Sequence, residues 1–171
     1  GNDILEGGLG SDTLDGGNGN DTLSVQGGGT DSLDGGAGSD TFSIGMYGNS
    51  GDVVTVMDSS GTDTVNLTNI TEYQVTFSAI DTNSDGNLDA LQADAGSKGS
   101  VLFKDYFDNS TSDVNNLVNG NGFIETFNIN GVAITPDYLN TRTLINGTSG
   151  DDTIQGTSDD EIINGLDGND N

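Results

Sequence analysis

The sequence predicts an all-β chain of short strands joined by glycine-rich turns, and three observations predict it. A nine-residue beat of glycine, aspartate and a bulky apolar residue runs through residues 1–43 and resumes near the C-terminus. Each beat ends in a polar, apolar, polar triplet, the alternation of a strand with one buried face. Between the two stretches, β-branched and aromatic runs alternate with Gly, Asn and Ser turns, and no helical period holds over ten residues.

The clearest units are Gly7-Gly8-Leu9-Gly10-Ser11-Asp12-Thr13-Leu14-Asp15, Gly16-Gly17-Asn18-Gly19-Asn20-Asp21-Thr22-Leu23-Ser24 and Gly35-Gly36-Ala37-Gly38-Ser39-Asp40-Thr41-Phe42-Ser43. Each reads G-G-x-G-x-D-x-U-x, with U a bulky apolar residue. Gly1 to Glu6 is the back end of another unit, and Gln26 to Asp34 is a fifth, with Gln26 replacing the first glycine and Val25 inserted ahead of it. Glycine lets such a turn fold back at positive φ and aim its carbonyls at one point. Calcium takes roughly 6 to 8 oxygen ligands, many of them carbonyls, so a loop of small residues closed by one carboxylate suits it. A flexible linker would have no reason to set Leu5, Leu14, Leu23, Leu33 and Phe42 on a fixed period.

Two units make one loop-strand-loop-strand coil, so units an even count apart stack on one edge. Asp3, Asp21 and Asp40 then form one row, and Asp12 and Asp31 the other. Without metal such rows repel themselves, by roughly 4 kcal/mol per pair of charges about 4 Å apart at an effective dielectric near 20.

This pattern resembles the RTX (repeat-in-toxin) nonapeptide family, closely over residues 1–43 and again at the C-terminus. The resemblance implies a right-handed parallel β-roll. It also implies calcium ions between loops of adjacent coils, held by the aspartates and by carbonyls of the first and third loop positions. Carried over, those are Gly7, Leu9 and Asp12; Gly16, Asn18 and Asp21; Gln26, Gly28 and Asp31; and Gly35, Ala37 and Asp40, with Asp3 in the partial unit.

Residues 44–146 have a different texture and are expected to form a β-rich domain with its own small core. Strands are expected at 52–57, 64–67, 73–77, 100–103 and 126–129. The order of its short apolar motifs resembles the β-rich domain found beside RTX blocks in large secreted proteins. Within it, Asp81-Thr82-Asn83-Ser84-Asp85-Gly86-Asn87-Leu88-Asp89 fits D-x-[DN]-x-[DN]-G, a second calcium signal spanning 81–92. Resemblance to EF-hand loops gives side-chain oxygens from Asp81, Asn83 and Asp85, a carbonyl from Asn87 and a direct or water-bridged contact from Asp89. The twelfth position is Gln92 instead of glutamate, and the strand-like entry leaves an ordinary polar hairpin turn as the competing reading. From residue 147 a second roll begins, with Asp152 and Asp170 on one edge and Glu161 in place of the middle unit's aspartate.

The chain carries 28 acids against 3 bases, a formal charge of −25, which leaves no clustered Lys and Arg for nucleic acid and opposes an anionic membrane. It has neither cysteine nor histidine, so disulfides, zinc chemistry and the usual catalytic bases and thiols lack their residues. The longest apolar run, Val53–Met57, is far too short to span a membrane. The chain starts and stops within repeats and is read as a monomeric piece of a longer protein. The function expected is a non-enzymatic, calcium-binding structural module of a secreted RTX protein. By the resemblance, it leaves a Gram-negative cell through a type I channel and folds on extracellular calcium. The alternatives are a ligand- or glycan-binding segment of an adhesin, using Tyr47, Tyr73, Tyr106, Phe107 and Tyr138, or the non-catalytic part of an RTX enzyme or toxin.

Overall fold

A computed structural model describes residues 1–71, 74–80, 82–83, 89–104, 106 and 124–134, with a strand pair at 144–146 and 162–164. The expectations for Asp81, Asp85, Asn87, Asp152 and Asp170, and for Tyr73, Phe107 and Tyr138, lie outside the described residues.

The repeat triplets become strands as their alternation requires. In the N-terminal part these are β1 (Ile4–Gly8), β2 (Thr13–Asp15), β3 (Thr22–Val25), β4 (Thr30–Asp34) and β5 (Thr41–Gly45). β6 (Val53–Met57) and β7 (Thr64–Thr68) follow, then β8 (Thr76–Ile80), β9 (Ala90–Asp94), β10 (Ser100–Phe103), β11 (Thr126–Ile129) and β12 (Val132–Ile134). Successive strands of the repeats fall alternately into two sheets, ordered β1-β3-β5-β7-β11-β12 and β2-β4-β6-β10-β9-β8. Every pairing among β1 to β7 is parallel, which is the winding of a β-roll, and the antiparallel pairs among the described strands, β11 with β12, β10 with β9 and β9 with β8, come at one end of each sheet. The inserted Val25 is absorbed as a register shift between Glu6 and Gly8, where Gly8 instead of Gly7 pairs with Val25.

The coils stack so that one apolar residue sits over the next. In the first sheet Leu5, Leu23, Phe42, Val65 and Phe127 align, and in the second Leu14, Leu33, Val56, Phe103 and Leu91. The two ladders meet in the core, where Phe103 and Phe127 pack edge to face at 5.1 Å between centroids. Outward positions carry Thr, Ser and Asn, among which Asn128 Nδ2 donates to Asn66 Oδ1 on the adjacent strand.

Among the described residues the central stretch has no separate core. Its buried side chains join those of the repeats in one cluster from Leu14 to Ile134, because β6 and β7 pair directly on β4 and β5. The boundary expected after residue 43 falls inside β5. At the C-terminal end β13 (Leu144–Asn146) and β14 (Ile162–Asn164) pair in parallel with Ile145 opposite Ile163, an offset of two nine-residue units.

Candidate calcium sites along the roll edges

The turns from even-numbered into odd-numbered strands, at 16–21, 35–40 and 58–63, stack into a column. A ladder of charge-assisted hydrogen bonds runs down it. The Asp3 N–H donates to Asp21 Oδ1 at 2.6 Å, that of Asp21 to Asp40 Oδ1 at 2.7 Å, and that of Asp40 to Asp63 Oδ1 at 2.6 Å. The last rung is the Asp63 N–H donating to Glu125 Oε2 at 2.5 Å. On the opposite edge the Asp12 N–H donates to Asp31 Oδ1 at 2.9 Å. That row stops there, since the residue in register with Asp31 on β6 is Val54.

Each rung uses one oxygen of its carboxylate. Oδ2 of Asp21, Asp40 and Asp63, and that of Asp12, which accepts no rung, are buried without any hydrogen-bond partner, as is Oδ1 of Asp58. Asp21, Asp40 and Asp63 are at most 2% exposed. An unsatisfied buried carboxylate oxygen is costly, and a set of them aimed along one edge fits a cation. These ligand atoms are all oxygen, and the chain has no histidine or cysteine to supply nitrogen or thiolate, which suits calcium.

The first glycine of each unit is fixed by this arrangement. A Cβ at Gly7, Gly16 or Gly35 would stand 2.9, 2.7 or 2.6 Å from Oδ2 of Asp12, Asp21 or Asp40. The carbonyl oxygen of Gly35, on the next coil, is 2.8 Å from the same point at Gly16. An aspartate of one coil and a first-position carbonyl of the next therefore converge beneath a glycine that leaves room for an ion.

At the third level the convergence changes. Asp58 stands where the repeats have their first glycine, and ligand oxygens of Asp40, Asp58 and Asp63 lie within 4.8 Å of one another. At that distance each pair of charges would repel by about 3.5 kcal/mol for an effective dielectric near 20. Burial, then the charges of Asp63 and Asp40, pushes the Asp58 carboxyl up to about 8. Asp63 is also raised, its burial outweighing the Asp40 N–H that favours its charged form. Burial raises Asp31 as well, against the Asp12 N–H it accepts. A cation held among these carboxylates would favour their charged forms and so oppose each shift.

The structure thus gathers Asp3, Asp21 and Asp40 into one row and Asp12 with Asp31 into the other. Of the third-position carbonyls, Gly28 O accepts from Gly10 N–H at 3.1 Å and Ala37 O from Gly19 N–H at 2.8 Å, so both tie adjacent coils together. Asn18 bridges to Ala37, while Leu9 and Gln26 sit exposed at the opposite edge. In the central hairpin, the Asp89 carboxylate accepts from Thr82 N–H at 2.9 Å and Thr82 Oγ1 at 2.8 Å, with Asn83 exposed beside it. Among the aromatic candidates Tyr106 is core, packed on Phe127, and burial pushes its hydroxyl up to about 12; Tyr47 is exposed.

Sequence reasoning missed Asp58, Asp63 and Glu125. A signal existed, because Gly61-Thr62-Asp63-Thr64-Val65-Asn66 keeps the G-x-D-x-U-x tail of a unit. The longer 46–52 turn hid it by stretching the Asp40 to Asp63 separation to 23 residues, against 18 and 19 for the rungs before it.

A family model for the RTX calcium-binding nonapeptide repeat (4 copies) matches residues 1–25, 26–43 and 142–171. Among curated proteins, none matches the chain. With the parallel coils and the carboxylate ladder, the match makes this chain a carrier of RTX calcium-binding nonapeptide repeats, at residues 1–43 and 142–171.

Proposed function

We propose that this chain is a calcium-folded structural module of a secreted RTX protein, exported unfolded through a type I channel and folded where calcium is plentiful. The repeat family itself is a calcium-binding structural element and not a catalytic one. No helix among the described residues is long and apolar enough to cross a membrane. The observation that carries the reading is the set of buried carboxylate oxygens without partners. Stacked acids in a chain of charge −25 oppose their own folding, so the free energy of metal binding becomes free energy of folding. Asp3, Asp12, Asp21, Asp31 and Asp40, with the loop carbonyls named above, would hold the ions.

Far-UV circular dichroism tests this. In EDTA the repeat signal should be that of a disordered chain, and calcium should restore β-structure with a midpoint on the order of 10⁻⁴ to 10⁻³ M. Magnesium, which demands a smaller octahedral shell, should not substitute. Identical spectra in EDTA and calcium would refute the reading.

A further inference from the structure

The acidic ladder does not end where the recognisable repeats end. The matched N-terminal residues stop at 43, yet Asp63 and Glu125 continue the same row of hydrogen bonds by two further rungs. Between the Asp40 and Asp63 loops the chain departs from the repeat pattern in one respect. Asp58 replaces the first-position glycine, its Oδ1 and Asp40 Oδ2 converge on the point a Cβ at Gly35 would occupy, and Asp63 offers a carboxylate oxygen within 4.8 Å of ligand oxygens of both. Asp58 Oδ1, Asp40 Oδ2 and Asp63 Oδ2 are buried without a hydrogen-bond partner, while Asp40 and Asp63 are 1% and 0% exposed. At the level above, the corresponding space is met by one carboxylate oxygen and one backbone carbonyl, Asp21 Oδ2 and Gly35 O.

From this contrast we infer that Asp40, Asp58 and Asp63 form a calcium site that reaches beyond the matched repeats through Asp58 and Asp63, and that it is the tightest of the ladder. Calcium affinity rises with the number of charged ligands and with the rigidity of their cage. Here a side-chain carboxylate stands in for a carbonyl. Asp63 is held from both sides, accepting from Asp40 and donating to Glu125. The consequence is a link across the fold. Asp58 and Asp63 bracket the turn from β6 to β7, and those strands carry β10 and β11. One ion therefore fastens the repeat coils to the strands that follow them, and being tightest it fills first.

The inference rests on the calcium-folding reading above, and calorimetric titration of the 171-residue chain with calcium separates the two. The unaltered chain should bind in two classes, one ion at least tenfold tighter than the rest. Asp58→Asn should merge that ion into the weaker class, and so should Asp58→Gly, which restores the residue the repeats carry. The weaker class, unchanged in both variants, reports that they still fold. Asp12→Asn, on the opposite edge, should leave the tight ion in place. A tight class that survives both Asp58 substitutions, or one class only in the unaltered chain, would overturn the assignment while leaving the repeats' calcium dependence standing. Absence of any calcium binding would overturn both.

Discussion

An added methyl group at Gly35 would stand 2.6 Å from Asp40 Oδ2 and 2.8 Å from the Phe42 ring, although its φ is one that any residue adopts. Gly17 is the converse: φ is +83° and nothing lies within 4 Å of where a Cβ would stand. Gly35→Ala should therefore displace a ligand carboxylate and lower calcium affinity, whereas Gly17→Ala should cost only the roughly 1 to 2 kcal/mol of left-handed backbone and leave affinity alone. Calcium titration of the two variants distinguishes the effects. Aspartates should differ by their place in the stack. Asp21 lies between the Asp3 and Asp40 loops, accepting from one and donating to the other, whereas in the ladder Asp3 donates to Asp21 and its carboxylate accepts no rung. With a penalty on the order of 1 to 3 kcal/mol per damaged site, Asp21→Ala should remove about two ions' worth of calcium stabilisation and Asp3→Ala one or none. Calcium-dependent melting measures this, and equal losses would contradict ion sharing between stacked loops. The rows of Asp3, Asp21, Asp40 and of Asp12, Asp31 were legible in the sequence because their spacing is regular. Asp58 was not, since it sits where the motif demands glycine, and only the fold shows that it replaces a carbonyl.

At the scale of the element, strands were legible where apolar residues alternate. β3, β5, β7 and β11 follow from Leu23, Phe42, Val65 and Phe127, all fully or nearly buried and stacked in one ladder. β9 was not foreseen, because Ala90-Leu91-Gln92-Ala93-Asp94 has no β-branched residue. It is a strand because β8 and β10 pair on its two sides, tertiary context overriding propensity. The core it shares makes a further expectation. Phe42 is completely buried between Leu23 and Val65, so Phe42→Ala should destabilise the calcium-loaded chain by about 3 to 5 kcal/mol. Because the core is continuous, the loss should appear in hydrogen exchange of β7 and β11 as well as of β3. Protection lost in β3 alone would show two independent cores.

For the whole molecule, the sequence made the repeats legible but suggested a change of structure at residue 44, where the texture of the chain changes. The sheets run on, because pairing depends on which faces are apolar and in what register, and β6 and β7 keep that register while losing the glycine pairs. What changes along the roll is the chemistry of its edges: one row ends at Val54, the other reaches Glu125. A chain of charge −25 with ions along its edges should respond to calcium as one body. Each site in tenfold excess of calcium over its Kd adds about 1.4 kcal/mol of stability, so several together decide whether the chain folds. Small-angle X-ray scattering tests this most directly. On adding millimolar calcium to the EDTA-treated chain, the radius of gyration should fall from near the roughly 44 Å of an unfolded chain of this length toward the roughly 16 Å of a compact one. A radius unchanged by calcium, or an equal contraction with magnesium, would contradict the claim that calcium folds this protein.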